Sequence, residues 1–416
     1  MLTLLLLACT APCPSAADSA ADSAADSASA YSCEGGGDYV DPGSDAWLFG
    51  EGGDLVVNEL SLDLPEASWA HLAALQDGSS DGADIVCGAL TTTHGTLANV
   101  GVRLAGKRWN SFQPLESKPY VEIITDHFEP GQTLSGLTRL KLYNQWEDQS
   151  GLQRYLGYQM WRNVGEDGYP APRAGFATLL LNGRSLGVYG TSEGIDATMA
   201  ARWPAFFGSG PLDIYEGQYG NDFTEGWQDL DVEWAGTDQS SLDNLAALAG
   251  AVSTSEDLET GLAPHMDAAL WHRHWALEIA VGAREGYTFI QNNWYLVFDH
   301  DTDKFTMVPW GFDQVLYDML VLPDNPRGDI PRLGKAQAPF REGQCTAMRE
   351  ALREIDWVEL SATLGEVDRL MPTTNAIVDT DRYTDVEAEQ MRVQVGEYLV
   401  RRPAQLEEWV TENCAG

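Results

Sequence analysis

The spacing of apolar residues changes along this chain, and no other feature constrains the fold as much. Leu55–Leu64 reads LVVNELSLDL, alternating between two faces as a half-buried strand does. Leu97–Leu104, Tyr120–Ile124 and Leu137–Leu142 read as further strands, and Pro65–Leu75 as a short amphipathic helix. Over Asp148–Val164 the period becomes helical: Leu152, Tyr155, Leu156 and Met160 share a side, Asp148 or Ser150 is placed to cap, and Pro170-Ala-Pro172 stops the run. Phe176–Leu181 and Leu186–Tyr189 flank Asn182-Gly183, a type I′ turn dipeptide, and predict a hairpin. A helix follows over Asp196–Trp203. Residues 204–264 are rich in Gly and Asp, with one helical stretch near Ser241–Ala251. Met266–Val281 predicts an apolar helix, and Trp294–Phe298 with Phe305–Val308 a second hairpin. The remainder is mostly helical. Strands first and helices later imply an α+β fold, β-rich over 36–195 and mainly helical over 196–416.

The N-terminus reads differently. Met1–Ala8 is too short an apolar run to cross a bilayer, and Leu6-Leu7-Ala8-Cys9 resembles a lipobox, so residues 1–8 read as a signal peptide. An ordinary cleaved signal is the alternative. Ala17–Ala28 repeats Ala-Asp-Ser-Ala three times, too small and acidic to bury a core, and residues 9–35 read as a lipid-anchored tether. This places the protein at the cell envelope or extracellular surface, touching the membrane only through its lipid. Acidic residues number 63 against 25 basic, a net charge of −38, which excludes nucleic acid as a partner. A polyphosphate ligand would need a local cation. Past the tether stand Cys33, Cys87, Cys345 and Cys414, with no zinc spacing. Of their three pairings, Cys33–Cys87 with Cys345–Cys414 would pin each terminus to the body. A monomer is expected.

Three local motifs suggest chemistry. Gly190-Thr-Ser192-Glu-Gly194 is a GxSxG, but it follows a hairpin rather than a central parallel strand, so Ser192 reads as a turn residue rather than a hydrolase nucleophile. Asp299-x-Asp301-x-Asp303 lacks the Gly and Glu of a calcium loop and reads as a solvated hairpin turn. His272 and His274, two apart on a helix, point to different faces.

An ordered series remains. Lys118 precedes a strand, followed by a helix, a hairpin, Glu193 in a crossing segment, Glu285 ahead of Asn292-Asn293, another hairpin, and Asp313 in Pro-Trp-Gly-Phe-Asp. A protein kinase runs in this order: a phosphate-holding Lys, an acid then Asn in a catalytic loop, and a metal-holding Asp.

Specific words sharpen the series. Ser111-Phe-Gln-Pro-Leu-Glu-Ser-Lys118-Pro, Gly136-Leu-Thr-Arg-Leu-Lys-Leu-Tyr-Asn144, Tyr169-Pro-Ala-Pro-Arg173, Asn292-Asn-Trp-Tyr-Leu296 and Lys304-Phe-Thr-Met-Val-Pro-Trp-Gly-Phe-Asp-Gln314 resemble segments of the spore coat protein H (CotH) kinase-like family, in the family's order, from about Val56 to Asp318. The resemblance implies a two-lobed atypical kinase fold that uses ATP with Mg²⁺ or Mn²⁺ to phosphorylate Ser or Thr of secreted or surface proteins. It implies that Lys118 contacts phosphates, that Asn293 and Asp313 hold metal, and that Glu193 lies on the hinge side of the nucleotide pocket. Trp310 lies close enough to line the pocket, or equally belongs to the core. Glu285 stands where family members carry an Asp as candidate base. Leu152-Gln153-Arg154 stands where they read Leu-Arg-Glu, and Gly311 where one branch has Asp. These departures keep a second reading open, a catalytically impaired pseudokinase acting as a structural or adhesion module.

Overall fold

The computed structural model describes residues 36–50, 55–78, 84–107, 111–236, 241–370 and 384–414. Residues 1–35, read as signal peptide and tether, lie outside them, and with Cys33 its expected bond to Cys87. Seven strands close into a barrel: β1 (Val57–Asp63), β2 (Val86–Thr92), β3 (Gly95–Ala105), β4 (Tyr120–Ile124), β5 (Arg139–Tyr143), β6 (Ala174–Leu181) and β7 (Arg184–Glu193). Their order is β1-β2-β3-β4-β5-β7-β6, and the ring closes where β1 pairs in parallel with β6. Alternation explains the packing. Leu60, Leu62, Val102, Leu104, Val121, Ile123, Leu140, Leu142 and Leu179 point inward and share one core. Each such buried aliphatic side chain contributes about 1.5–3 kcal/mol. The residues between them, Arg103, Glu122 and Lys141, point outward and lie opposite one another across β3, β4 and β5.

The β6–β7 hairpin turns at Asn182 (φ 47°) and Gly183 (φ 75°), both left-handed, as a type I′ turn requires. Strand β7 runs on to Glu193, longer than expected, so Ser192 lies inside a strand, fully buried, with its hydroxyl donating to the Glu193 carbonyl at 3.2 Å. That geometry is not a nucleophile elbow.

A second sheet has the order β11-β10-β8-β9, from β8 (Leu212–Gly217), β9 (Asp231–Ala235), β10 (Trp294–Asp299) and β11 (Lys304–Pro309). Alternation in the sequence announces β10 and β11 but not β2, β8 and β9. Strands β8 and β9 fall in the Gly- and Asp-rich stretch, where turn residues mask short strands; β9 is mostly exposed and has little apolar pattern to read. Around this sheet pack α1 (Glu66–Ala74, against the barrel), α2 (Gln153–Arg162), α3 (Leu242–Thr254), α4 (Ala268–Val281), α5 (Ala338–Glu354), α6 (Trp357–Leu370) and α7 (Asp385–Asn413). Helix α2 starts later than expected, at Gln153: Asp148 accepts from Ser150 Oγ and the Gly151 amide to close a loop, and its other oxygen takes the Arg154 amide in the first turn. Helix α4 is buried on nearly all sides, and Gly282 (φ 71°) ends it. Cys345 and Cys414 form the expected disulfide, tying the end of α7 to α5. Among the described residues no helix is long and apolar enough to cross a membrane.

The molecule is therefore a mixed α and β structure, as expected in class. The closed barrel was not foreseen, because its closure depends on a parallel pairing that no hairpin signal announces. A third, small core joins barrel to sheet: Tyr143 of β5, Ile195 and Met199 pack with Tyr295, Val308 and Trp310.

Candidate active site

Where barrel and second sheet meet, a cleft of about 490 Å³ opens, within the range of small-molecule sites. One wall is the outward face of β3–β5. Arg103 donates to Glu122 Oε2 at 2.6 Å, and Arg139 approaches Glu122 Oε1 at 3.8 Å. Burial pushes the Glu122 carboxyl up, yet Lys141, Arg103 and Arg139 together hold it down at about 2. The Lys141 ammonium lies 4.1 Å from the Trp310 ring centroid, a cation–π contact.

The opposite wall is built by the loop after β5, the start of α2, and the segments 285–293 and 310–313. The Arg154 guanidinium stacks on Tyr143, with Cζ 3.4 Å from the ring centroid, and its Nη2 meets Asp313 Oδ2 at 3.2 Å. Burial raises the Asp313 pKa, and Arg154 opposes this. Asn293 donates to Glu285 Oε2 at 3.1 Å, while burial and the charges of Asp313 and Glu147 push Glu285 up to about 7. Gly311 is left-handed (φ 65°), and a β-carbon there would come 2.2 Å from Asn293 Nδ2. This explains why no Asp stands at that position. Further along, burial and the neighbouring Glu233 raise Glu216 to about 7.

The structure thus brings Glu285, Asn293, Trp310 and Asp313 into one cleft. Two of the expected residues are not among those lining it. Lys118 donates its amine to the Val188 carbonyl at 3.0 Å and lies over Tyr189. Strand β4 begins only at Tyr120, so the outward parity of Tyr120 and Glu122 does not extend back across Pro119 to Lys118. Glu193 is buried against Arg173 and Arg202, taking the Arg173 amide at 2.7 Å, and fastens the end of β7. Two other lysines line the cleft, Lys107 and Lys141, and of these Lys141, which lies over Trp310, was missed. Its signal was present: it is the lone polar residue inside the alternating run Leu140-Lys-Leu142.

Mg²⁺ or Mn²⁺ held by Asn293 and Asp313 meets a poor fit. Asp313 is paired with a buried guanidinium through Oδ2, the Glu285 oxygen nearest Asn293 already accepts from the Asn293 Nδ2, and Glu147 accepts from Gln314 at 2.6 Å. Among the described residues no three His, Cys, Asp or Glu are grouped to hold an ion. Flat rings (Tyr120, Trp146, Tyr219) and the cations Lys141 and Arg154 instead offer surfaces for a base and for phosphates.

No curated protein matches the sequence. A crystal structure of the Helicobacter pylori proinflammatory kinase CtkA is similar at a TM-score of 0.34 and 10% identity, over 67% of this chain and 92% of that one, too distant to add to the argument. The family described as CotH kinase protein matches residues 110–394, leaving β1–β3 outside the matched range although they complete the barrel. With most of its length matched, and with the segments quoted above in the family's order, the chain belongs to the CotH kinase protein family.

Proposed function

We propose that the cleft binds ATP and transfers its terminal phosphoryl group to a Ser or Thr hydroxyl of a secreted or surface protein, the barrel and the helical body serving as two lobes. The observation that carries this reading is the convergence of Lys141, Glu285, Asn293 and Asp313 on one cleft in a chain of this family. We assign the phosphate-facing amine to Lys141 rather than Lys118, because Lys141 lines the cleft and Lys118 does not. In the transfer, the acceptor oxygen bonds to the terminal phosphorus, the bond to the bridging oxygen of ADP breaks, and the hydroxyl proton passes to Glu285. A carboxyl at about 7 is suited to take and return a proton near neutral pH. Asn293 holds that carboxyl in place. The test is phosphate incorporation from labelled ATP into Ser-rich acceptors; wild type that binds ATP yet labels nothing would remove the catalytic part.

A second reading, the non-catalytic module, is favoured by the Arg154–Asp313 pair, since a family site with Glu in place of Arg154 would leave Asp313 open. We also propose that Cys9 is lipidated and residues 9–35 tether the fold at the cell surface. Cys9→Ala should then move the protein from the membrane fraction to the soluble one, and unchanged retention would rule the anchor out.

A further inference from the structure

We infer that Arg154 is the resident cation of this cleft, standing in the charge-neutralising place beside Asp313 that a divalent ion would otherwise take, so that a nucleoside triphosphate binds without divalent metal. The inference rests on the proposed nucleotide reading and departs from the metal dependence that the family resemblance implies.

Three observations carry it. Arg154 is buried, 5% exposed, yet lines the cleft, so its charge is directed to a ligand rather than to bulk water. Its Nη2 is engaged with Asp313, while Nε and Nη1 have no hydrogen-bond partner. A guanidinium carries five donors in a fixed fork, and leaving two nitrogens of a buried charge unpaired is costly. A phosphate oxygen pair satisfies that fork in the bidentate manner for which Arg is suited. Second, the side chain is held from several directions. Its backbone N–H bonds Asp148 Oδ2 at 3.2 Å, and its plane stacks on Tyr143, which in turn packs on Tyr120 with ring centroids 4.6 Å apart. Such a residue is preorganised and does not swing aside at small cost. Third, the cleft is poorly built for an ion: Asp313 Oδ2 is held by Arg154 and Glu285 Oε2 by Asn293, and among the described residues no three His, Cys, Asp or Glu are grouped, whereas Mg²⁺ demands near-octahedral oxygen coordination. Lys141 supplies a second positive charge from the facing wall.

Calorimetric titration of ATP into the full chain, in EDTA and in millimolar Mg²⁺, tests this. Wild type is expected to bind with dissociation constants within about threefold of each other in the two buffers. Arg154→Gln should weaken binding in EDTA by about tenfold or more, the loss of one charged hydrogen-bonding partner, and regain much of it with Mg²⁺, because Asp313 is released. A second measurement needs no variant: Mn²⁺ added without nucleotide and followed by electron paramagnetic resonance should remain free over wild type. Wild-type binding of ATP only with Mg²⁺, or tight Mn²⁺ uptake by wild type, would overturn the inference and leave the nucleotide reading intact. No ATP binding in either buffer would defeat the nucleotide reading itself, and this inference with it.

Discussion

The two walls of the cleft handle charge in opposite ways. On the barrel wall one carboxylate, Glu122, sits among Arg103, Arg139 and Lys141, and its pKa falls to about 2. On the facing wall Asp148 and Asp313 share one guanidinium, with Glu285 near Asp313, and all three are raised, chiefly by burial, with Glu285 reaching about 7. Burial acts on both walls, so the sign is decided by the ratio of cations to carboxylates. On the barrel wall Glu122 Oε1 makes no hydrogen bond, but it lies 3.8 Å from Arg139 Nη1, so its charge is met within the protein. The facing wall leaves nitrogens of Arg154 and one oxygen of Asp313 without protein partners. Buried groups left in that state point to a ligand.

Breaking the barrel wall should cost the most stability. Glu122→Ala removes the carboxylate shared by three cations and is expected to destabilise by about 3–5 kcal/mol, read as a shift in the denaturant midpoint. A loss below about 1 kcal/mol would show that the wall is not a buried network.

On the facing wall the cost should fall on chemistry instead. Glu285→Gln is expected to lower phosphate incorporation about 100-fold or more while ATP affinity and thermal stability stay close to wild type, since it acts on the acceptor proton. Equal losses in ATP binding would move Glu285 from base to nucleotide contact.

The pH dependence sharpens the contrast, because the two signs differ. Glu122 has a depressed folded pKa, so its contribution is present above the usual value of 4.5 and is lost as pH falls toward 2. Glu216 has a raised folded pKa, about 7 against 4.5, so the cost of its charged form is absent below 4.5 and complete above 7. Glu216→Gln should therefore be neutral near pH 4.5 and stabilising by about 1–2 kcal/mol at pH 8. The same sign for both variants, in melting temperatures taken across that window, would contradict the contrast.

The smallest effect separates strand from site. Ser192→Ala, inside β7, should leave phosphate transfer unchanged and cost at most about 1 kcal/mol, the net value of one hydrogen bond. Loss of activity with stability intact would revive a nucleophilic role for Ser192.

What the residues determined by themselves was mostly local. Alternation placed β1, β3, β4 and β5 within a few residues, and Asn182-Gly183 set the hairpin because only left-handed backbone makes that turn. The words Asn292-Asn293 and Pro-Trp-Gly-Phe-Asp313 named cleft residues, since their loops are held by short-range geometry such as the Gly311–Asn293 approach. Chain order could not say which lysine enters the cleft. Lys118 precedes a strand and Lys141 lies within one, and only the ring of seven strands turns Lys141 toward Trp310 while Lys118 bonds Val188. Nor could it foresee that Arg154 would meet Asp313, 159 residues later in the chain, or that Glu193 would be spent on two arginines. Periodicity specifies which face of an element is buried. Which charged groups share a cavity is fixed only when distant elements pack, because burial and pairing act through space and not along the chain.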